Sequence, residues 1–345
     1  MKIGLVSSAV PLVDGGGRFI VDWLVEGLRE RGHQVEIVWL PCTYEAETLF
    51  QQMTAFRLLH LSDAFDRVIT FRPPAHVVRH PVKVVWFIHH ARAFYDMWDS
   101  SYRPVPDTPY WQAFRQRLFE ADRTALAEAH KVFANSRVVA DRLRTFNRIE
   151  GEVLYPPLLR PERFRAEAWG EEIVCISRIE PHKRQHLLVE AMRYVRTPVR
   201  LRLCGVGNNA GYVRGLARVI AERRLGDRVA LDNRWITEAE KIELLAHALA
   251  SVYLPHDEDS YGYPTLEAAH ARKPTVTAFD AGGLLEFVVD GENGVVVAPT
   301  PQAVAEAFDR LWSDRRLARR MGEAAEARVA ALGITWDHVL DRLLA

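Results

Sequence analysis

The stretch SVYLPHDEDSYGYPTLEAAHARKP, residues 251–274, passes from an apolar segment through a polar turn into a helix-forming segment. SVYLP predicts a buried strand and HDEDSYGY a loop. PTLEAAHA predicts a helix that opens on Pro264, where a missing N–H costs nothing. Three consecutive acids, Asp257, Glu258 and Asp259, fill the loop, and Glu267 follows within the first helical turn. A helix N-terminus offers N–H groups and a positive dipole end that attract phosphate or sugar oxygens. Glu267 alone could simply complement that dipole. Three loop acids beside it call for more, because clustered carboxylates repel unless they face hydroxyls or cations.

The same strand–loop–helix plan recurs on both sides. Towards the N-terminus, KIGLVS, QVEIVW, DRVITF, KVVWFI and KVFA alternate with helical segments such as 19–31, where Phe19, Ile20, Trp23, Leu24 and Leu28 recur at helical spacing. VLYPPLLRPERFRAEAWG (residues 153–170), with three prolines, reads as a linker. Beyond it come EIVCIS, VRLRLC, RVALD, SVYLP, TVTAF and GVVVAP. The expected fold class is therefore α/β, with two doubly wound, Rossmann-like parallel sheets. The expected domains are 1–160 and 161–325, followed by a C-terminal helix over 326–345 that can return to the first domain. Such sheets bind ligands beyond the carboxyl ends of their strands, so a cleft between the domains is the expected site.

Composition narrows the partners. The 345 residues are 48% hydrophobic and 26% charged, enough apolar material for two buried cores. Lys plus Arg and Asp plus Glu are both 45, so no overall field recruits nucleic acid or an acidic membrane, and any anion must be held locally. The opening MKIGLVSSAV suits a first strand better than a signal peptide, and no apolar run reaches the roughly 18 residues of a membrane span. Cys42, Cys175 and Cys204 are odd in number and widely spaced, which favours reduced core thiols in the cytoplasm over a metal site or disulfides.

Two further strand-end loops are suited to an anion. CISRIEPHKRQHLLVEAM (175–192) carries Arg178 and Lys183 near a helix start, electrostatically the wrong end for cations unless an anion sits between them. A solvated surface position is the lesser reading for Arg184, and weaker still for Arg178, which directly follows an apolar strand. AVPLVDGGGRFIVDWL (9–24) places Gly15, Gly16 and Gly17 in a row before Arg18, a loop that can touch a pyrophosphate or merely turn tightly. A rival reading comes from LRLCGVGNNAGYVRGLA (201–217). Gly205 to Ala210 has the form of a dinucleotide fingerprint with Asp232 at about the right distance, which would make the protein an NAD-dependent oxidoreductase. It follows the wrong strand, lacks an evident hydride-transfer site and leaves the acidic turn unexplained.

Together these segments resemble the retaining GT-B glycosyltransferases of family 4 (glycosyl transferases group 1), to which bacterial mannosyl- and glucosyltransferases of cell-surface glycans belong. GGGRFIVDWLVEGLRERGHQVEIV is similar to that family's opening loop and helix, VFANSRVVADRL with VLYPPL to the end of its first domain, and SRIEPHKRQHLLVEAM to its phosphate-binding segment. DSYGYPTLEAAHARKPTVTAFDAGGLLEFVVDGENGVVVAP is similar to its donor signature. Acid-x7-acid, the Gly-Pro turn, Lys-Pro, Gly-Gly-x-x-Glu and Asp-Gly-x-Asn-Gly occur there in order.

The resemblance implies an acceptor domain, then a donor domain binding a UDP- or GDP-linked hexose, and a glycan or lipid-linked acceptor. It implies that Glu267 accepts from the ribose hydroxyls, and that the acid separated from it by seven residues accepts from the hexose. N–H groups of Gly262, Tyr263, Pro264's neighbour Thr265 and Leu266 would meet sugar and phosphate oxygens, and Gly15 and Gly16 would approach the donor. Counting back from Glu267 reaches Asp259 where the family usually has Glu. Either Asp259 serves, or Glu258 reaches in from a rearranged loop. Arg178 and Lys183 would stabilise the departing diphosphate without a metal or cofactor, and His89, after KVVWFI, aligns with a histidine facing the donor sugar. His90 beside it is the weaker candidate. Aromatic residues over 93–114 could stack on an acceptor or pack a long loop. A cytoplasmic enzyme follows, with peripheral contact at the inner face of a membrane left open. The alternative is a catalytically degenerate member acting as a binding or assembly subunit.

Overall fold

The computed structural model describes residues 1–11, 16–43 and 45–345. It divides into two units, Met1–Pro157 together with Ile334–Ala345, and Leu158–Gly333.

The first unit runs β1 (Lys2–Ala9), α1 (Gly16–Glu30), β2 (Gln34–Pro41), α2 (Leu49–Arg57), β3 (Arg67–Thr70), β4 (Lys83–Phe87), α3 (Pro109–Ala127), β5 (Lys131–Ala134), α4 (Arg137–Arg142) and β6 (Glu152–Val153). Its six strands form one sheet in the order β2-β1-β3-β4-β5-β6, all pairings parallel. Alternation along β1 covers both faces. Ile3 and Leu5 pack with Ile20, Leu24 and Leu28 of α1, while Val6 joins Met53 and Phe56 of α2 on the other side.

The second unit runs β7 (Glu172–Ile176), α5 (Gln185–Ala191), β8 (Arg200–Cys204), α6 (Ala210–Glu222), β9 (Val229–Asp232), α7 (Glu238–His247), β10 (Ala250–Val252), α8 (Tyr263–His270), β11 (Thr275–Ala278), β12 (Gly294–Val297), α9 (Pro301–Ser313) and α10 (Arg315–Ala331). Its sheet order is β12-β11-β10-β7-β8-β9, again wholly parallel. The segment read as one helix over 326–345 holds the end of α10 and then, past Gly333 at φ 62°, α11 (Trp336–Leu344). Val339, Leu340 and Leu343 of α11 enter the first unit's core beside α1.

These strand orders position the polar loops. In the second sheet the chain leaves β7 towards β8 and β9, then returns to the other side of β7 through β10, so β7 and β10 flank the point where the winding reverses. Ligands of doubly wound sheets gather at such points. The loops after these two neighbouring strands carry Arg178–Lys183 and Asp257–Asp259. Among the described residues no helix is long and apolar enough to cross a membrane. Cys42, Cys175 and Cys204 are buried thiols outside any disulfide, and burial pushes Cys175 up to about 12 and Cys204 up to about 11.

Candidate functional site

The acidic turn is held from below by the segment after β11. Asp257 N–H donates to Asp280 O at 2.9 Å, Glu258 N–H to Ala281 O at 3.1 Å, and Gly283 N–H to Glu258 O at 2.8 Å. The turn then enters α8 through Gly262 at φ 71°, where a Cβ would lie 2.7 Å from the Tyr253 ring, so only glycine fits. The α8 N–H groups expected to meet a ligand are largely engaged within the turn. Gly262 N–H faces Ser260 Oγ at 3.4 Å, while Thr265 and Leu266 N–H donate to Gly262 O at 3.1 and 3.4 Å. The Leu266 side chain is core, at 0% exposure.

Side-chain charges gather above this frame in compensated groups. Lys183, 5% exposed, donates to the Glu258 carboxylate and, at 2.6 Å, to the Tyr253 hydroxyl, which in turn donates to Glu258 Oε2 at 3.0 Å. Burial, then the Glu258 charge, drives the Tyr253 phenol far up, so it stays a donor. Glu258 thus reaches the ammonium, while Asp259, next along the chain, is buried at 8% exposure. Arg178 is exposed just past β7, near enough for its charge to act on the Tyr253 phenol.

The lesser reading of Arg184, a solvated surface group, is excluded. Arg184 is 5% exposed, its guanidinium grips Asp280 through two 2.7 Å bonds, and it donates to the carbonyls of Leu254 and Pro255, both at 2.7 Å. A buried cation is tolerable only when its donors are satisfied, as here. Arg184 therefore ties the end of β10 to the segment that carries the acidic turn.

Glu267 is paired with a residue that the sequence reading passed over. Lys241 Nζ lies 2.5 Å from Glu267 Oε1 and 2.8 Å from Glu238. Burial raises the Glu267 carboxyl and Lys241 opposes this. Burial pulls the Lys241 ammonium down, but the Glu267 and Glu238 carboxylates outweigh it and leave it raised. A capping box aims Lys241, since Thr237 N–H donates to Glu240 Oε2 at 2.7 Å and Glu240 N–H to Thr237 Oγ1 at 3.2 Å, and Lys241 is the next residue. That Thr-x-x-Glu signal was present in the sequence; the pairing of Lys241 with Glu267, 26 residues away, was not legible there.

The rival glycine loop has a packing role. A Cβ on Gly205 would fall 2.0 Å from Ser177 O, and one on Gly207 3.0 Å from Ile179 O. These glycines let the Arg178 loop lie against β8's exit. Asp232 pairs with Arg234 at 3.0 Å, and Asn233 Oδ1 accepts from Gly207 N–H at 2.8 Å.

In the first unit, Gly15 lies outside the described residues, and Gly16 begins α1. Arg18 lies 5.9 Å from the Trp39 ring centre and 4.0 Å from Asp22. Arg72, a cation the sequence reading missed, follows β3, donates to Ser8 O at 3.0 Å and would meet a Cβ on Gly17 at 3.2 Å. His89 follows β4 and donates through Nδ1 to His90 O at 2.7 Å. His90 is 1% exposed and belongs to the interior. The aromatic segment is mostly core: Phe94, Tyr95, Trp98, Trp111 and Phe114 are buried together, and Tyr110 is exposed. Among the described residues, Glu167, Glu243 and His247 bring ligand atoms together, but they are exposed and both acids pair with Arg165.

Two wholly parallel six-stranded sheets with helices, their charged groups on strand-end loops, define an α/β protein of the GT-B fold. Sucrose-phosphate synthase (tll1590) from Thermosynechococcus elongatus superposes with a TM-score of 0.82, at 20% identity, over 99% of this chain and 97% of that one. Anabaena Alr3699/HepE in complex with UDP and glucose gives 0.72 at 19%, over 100% and 98%. At such identities the likeness concerns the fold. Residues 162–328 match the family Glycosyl transferases group 1.

Human alpha-1,3/1,6-mannosyltransferase ALG2 is 24% identical over 342 residues, 89% of this chain and 77% of that protein. The D-inositol 3-phosphate glycosyltransferase of Gordonia bronchialis is 29% identical over 50% of this chain. A GDP-mannose-dependent alpha-(1-6)-phosphatidylinositol monomannoside mannosyltransferase of Mycolicibacterium smegmatis is 32% identical over 44%. The matches span 39% and 41% of the latter two relatives' lengths.

Proposed function

We propose that the protein is a retaining glycosyltransferase that moves a hexose from a UDP- or GDP-linked donor to a glycan or glycolipid acceptor in cell-surface polysaccharide synthesis. The second unit takes the donor and the first the acceptor. A lipid-linked acceptor would bring the enzyme to the inner face of a membrane. The observation that carries this reading is the charge set at the winding reversal of the family-matched unit: Arg178, Lys183 with Glu258 and Tyr253, and Glu267 with Lys241. Two names among the similar proteins agree with it, one relative being GDP-mannose-dependent and one structure holding UDP and glucose.

Retaining transfer passes through an oxocarbenium-like state while negative charge builds on the leaving diphosphate. Arg178 and Lys183 meet that charge, Glu267 accepts from the ribose hydroxyls, and Asp259 accepts from the hexose. Lys241 keeps Glu267 ionised and directed. The leaving phosphate takes the acceptor's proton on the face it departs from, so no separate base is required, and neither a metal nor a cofactor takes part. The resemblance gives His89 a role at the sugar. Incubation with UDP-glucose and GDP-mannose, followed by NMR of the released hexose, tests the reading. Turnover with the donor's anomeric configuration retained is expected. Binding without turnover would favour the degenerate subunit, and binding of neither would overturn the assignment.

A further inference from the structure

Tyr253 is a phenol directly after β10, 4% exposed and set in an apolar bed beside the acidic turn. Its backbone is fixed on both sides: Tyr253 N–H donates to Val276 O at 3.0 Å, and Thr277 Oγ1 donates to Tyr253 O at 2.8 Å. Its ring packs with Ala281 and Leu284 and lies so close to Gly262 that a Cβ there would fall 2.7 Å from it. Phenylalanine would fill this bed equally well, and a buried hydroxyl costs stability unless it is hydrogen-bonded. The hydroxyl is accounted for only by what it touches.

Those contacts form a closed triangle. Lys183 Nζ donates to the Tyr253 oxygen at 2.6 Å, the hydroxyl donates to Glu258 Oε2 at 3.0 Å, and Lys183 also donates to that same Oε2. An ammonium cannot accept and a carboxylate cannot donate, so no other direction satisfies the three contacts. Burial, then the Glu258 charge, raises the phenol's pKa, and the proton stays on the tyrosine. Two donors, one charged and one neutral, thus converge on a single oxygen atom. Converging donors of this kind stabilise oxyanions.

The oxygen in this seat is freer to leave than the groups that form it. The Lys183 side chain is 6% exposed and that of Glu258 16%. The Glu258 backbone is pinned separately, by its N–H to Ala281 O at 3.1 Å and by Gly283 N–H to Glu258 O at 2.8 Å, so turning the carboxylate outward breaks no main-chain bond. Lys183 is held to the tyrosine in a second way, its Nζ 5.1 Å from the ring centre. Carboxylate and phosphate oxygens take the same charged donors. All of these groups belong to the second unit.

We propose that the Tyr253 hydroxyl and Lys183 form a two-donor seat for one oxygen of the nucleotide-sugar's diphosphate, and that the Glu258 carboxylate occupies this seat until the diphosphate displaces it. Tyr253 is then a further binding residue for the leaving group, and Glu258 a built-in competitor. This rests on the nucleotide-sugar reading of the second unit and adds Tyr253 to it. The chemistry recognised is a diphosphate, free or carried by a nucleoside.

The test is calorimetric titration of the whole chain with pyrophosphate, UDP and GDP, in wild type, Tyr253→Phe and Glu258→Gln. Tyr253→Phe keeps the ring beside Gly262 and removes only the hydroxyl. It should weaken pyrophosphate, and whichever nucleotide binds wild type, by roughly 10-fold, as for one hydrogen bond to a charged group. Glu258→Gln should leave these affinities unchanged or tighter. Carbon-13 NMR of ζ-labelled tyrosine reads the hydroxyl in the unmutated protein, where saturating pyrophosphate should move the Tyr253 signal. Unchanged affinities in Tyr253→Phe, with only Tm lowered, overturn the proposal and leave the hydroxyl a stability element. So does a Glu258→Gln that binds pyrophosphate as weakly as Tyr253→Phe, a Tyr253 signal that pyrophosphate does not move, or a wild type that binds none of the three. Pyrophosphate binding that Tyr253→Phe weakens, in a protein that binds neither nucleotide, would support the seat and count against the nucleotide-sugar reading.

Discussion

The strand-end loops of the two units are built from different chemistry. In the second unit they carry full charges in largely buried pairs, Lys183 with Glu258 and Lys241 with Glu267. Behind His89 in the first unit stands a buried, directional chain, His76–Asp122–Tyr95–Asn147–His90, in which only Asp122 is an acid. A buried ion pair is weak evidence for stability, because desolvation consumes much of its Coulombic gain. What the charged groups of the second unit do have is exchangeable partners: a diphosphate can replace Glu258 at Lys183, and hydroxyls can take up the remaining acceptor capacity of Glu267. A chain of dipoles cannot neutralise an anion, but it can fix the direction of each hydrogen bond along it. One unit is suited to hold charge, and the other to hold direction.

The largest effects should come from the charged side. Lys183→Ala and Arg178→Ala should each cost on the order of 2–4 kcal/mol of transition-state stabilisation, read from kcat/KM for donor turnover. If Lys183 merely neutralised Glu258, Lys183→Ala with Glu258→Gln would recover activity; the account expects the double variant to stay inactive. Next, Glu267→Gln should weaken UDP or GDP binding by roughly 1.5–3 kcal/mol, measured by calorimetry. Lys241→Met should weaken it as well. The two losses should fall short of additive when combined, because they share one hydrogen bond.

Smaller effects sharpen the comparison. Asp259→Asn should reduce transfer more than nucleotide binding if its proposed partner is the hexose. Glu258→Gln should leave UDP binding unchanged or tighter, because it removes the competitor at Lys183. A larger transfer defect in Glu258→Gln, with Asp259→Asn silent, would move the family's first acid to Glu258. The smallest expected effect is that of excess EDTA, which should leave turnover intact. Loss of activity restored by Mg²⁺ or Mn²⁺ would assign the acids to a cation instead.

What the sequence could disclose followed from local pattern. Alternating apolar runs and turns were enough to expect two parallel sheets, and glycines, prolines and charges after those runs lie on strand-end loops in the structure. What stayed hidden was decided by long-range contact. Arg184 has the composition of a surface group, yet its acceptors Leu254, Pro255 and Asp280 lie 70 or more residues onward. Lys241 carried no signal of its own, because the carboxylate it meets, Glu267, lies 26 residues onward. The aromatic residues over 93–114 could not be told from a stacking platform until their burial was known, since the same rings serve both uses. Tyr95 and Asn147 gave no motif at all, because 52 residues separate them.

The central claim is that the second unit holds a nucleoside diphosphate through Lys183. Its most direct test is the shift in Tm produced by UDP and by GDP in wild type and in Lys183→Met, since a ligand that binds the folded state raises the melting temperature. The account predicts that at least one nucleotide raises the wild-type Tm and that the rise disappears in the variant. A wild-type Tm unmoved by both nucleotides, or a rise of equal size in Lys183→Met, would contradict it.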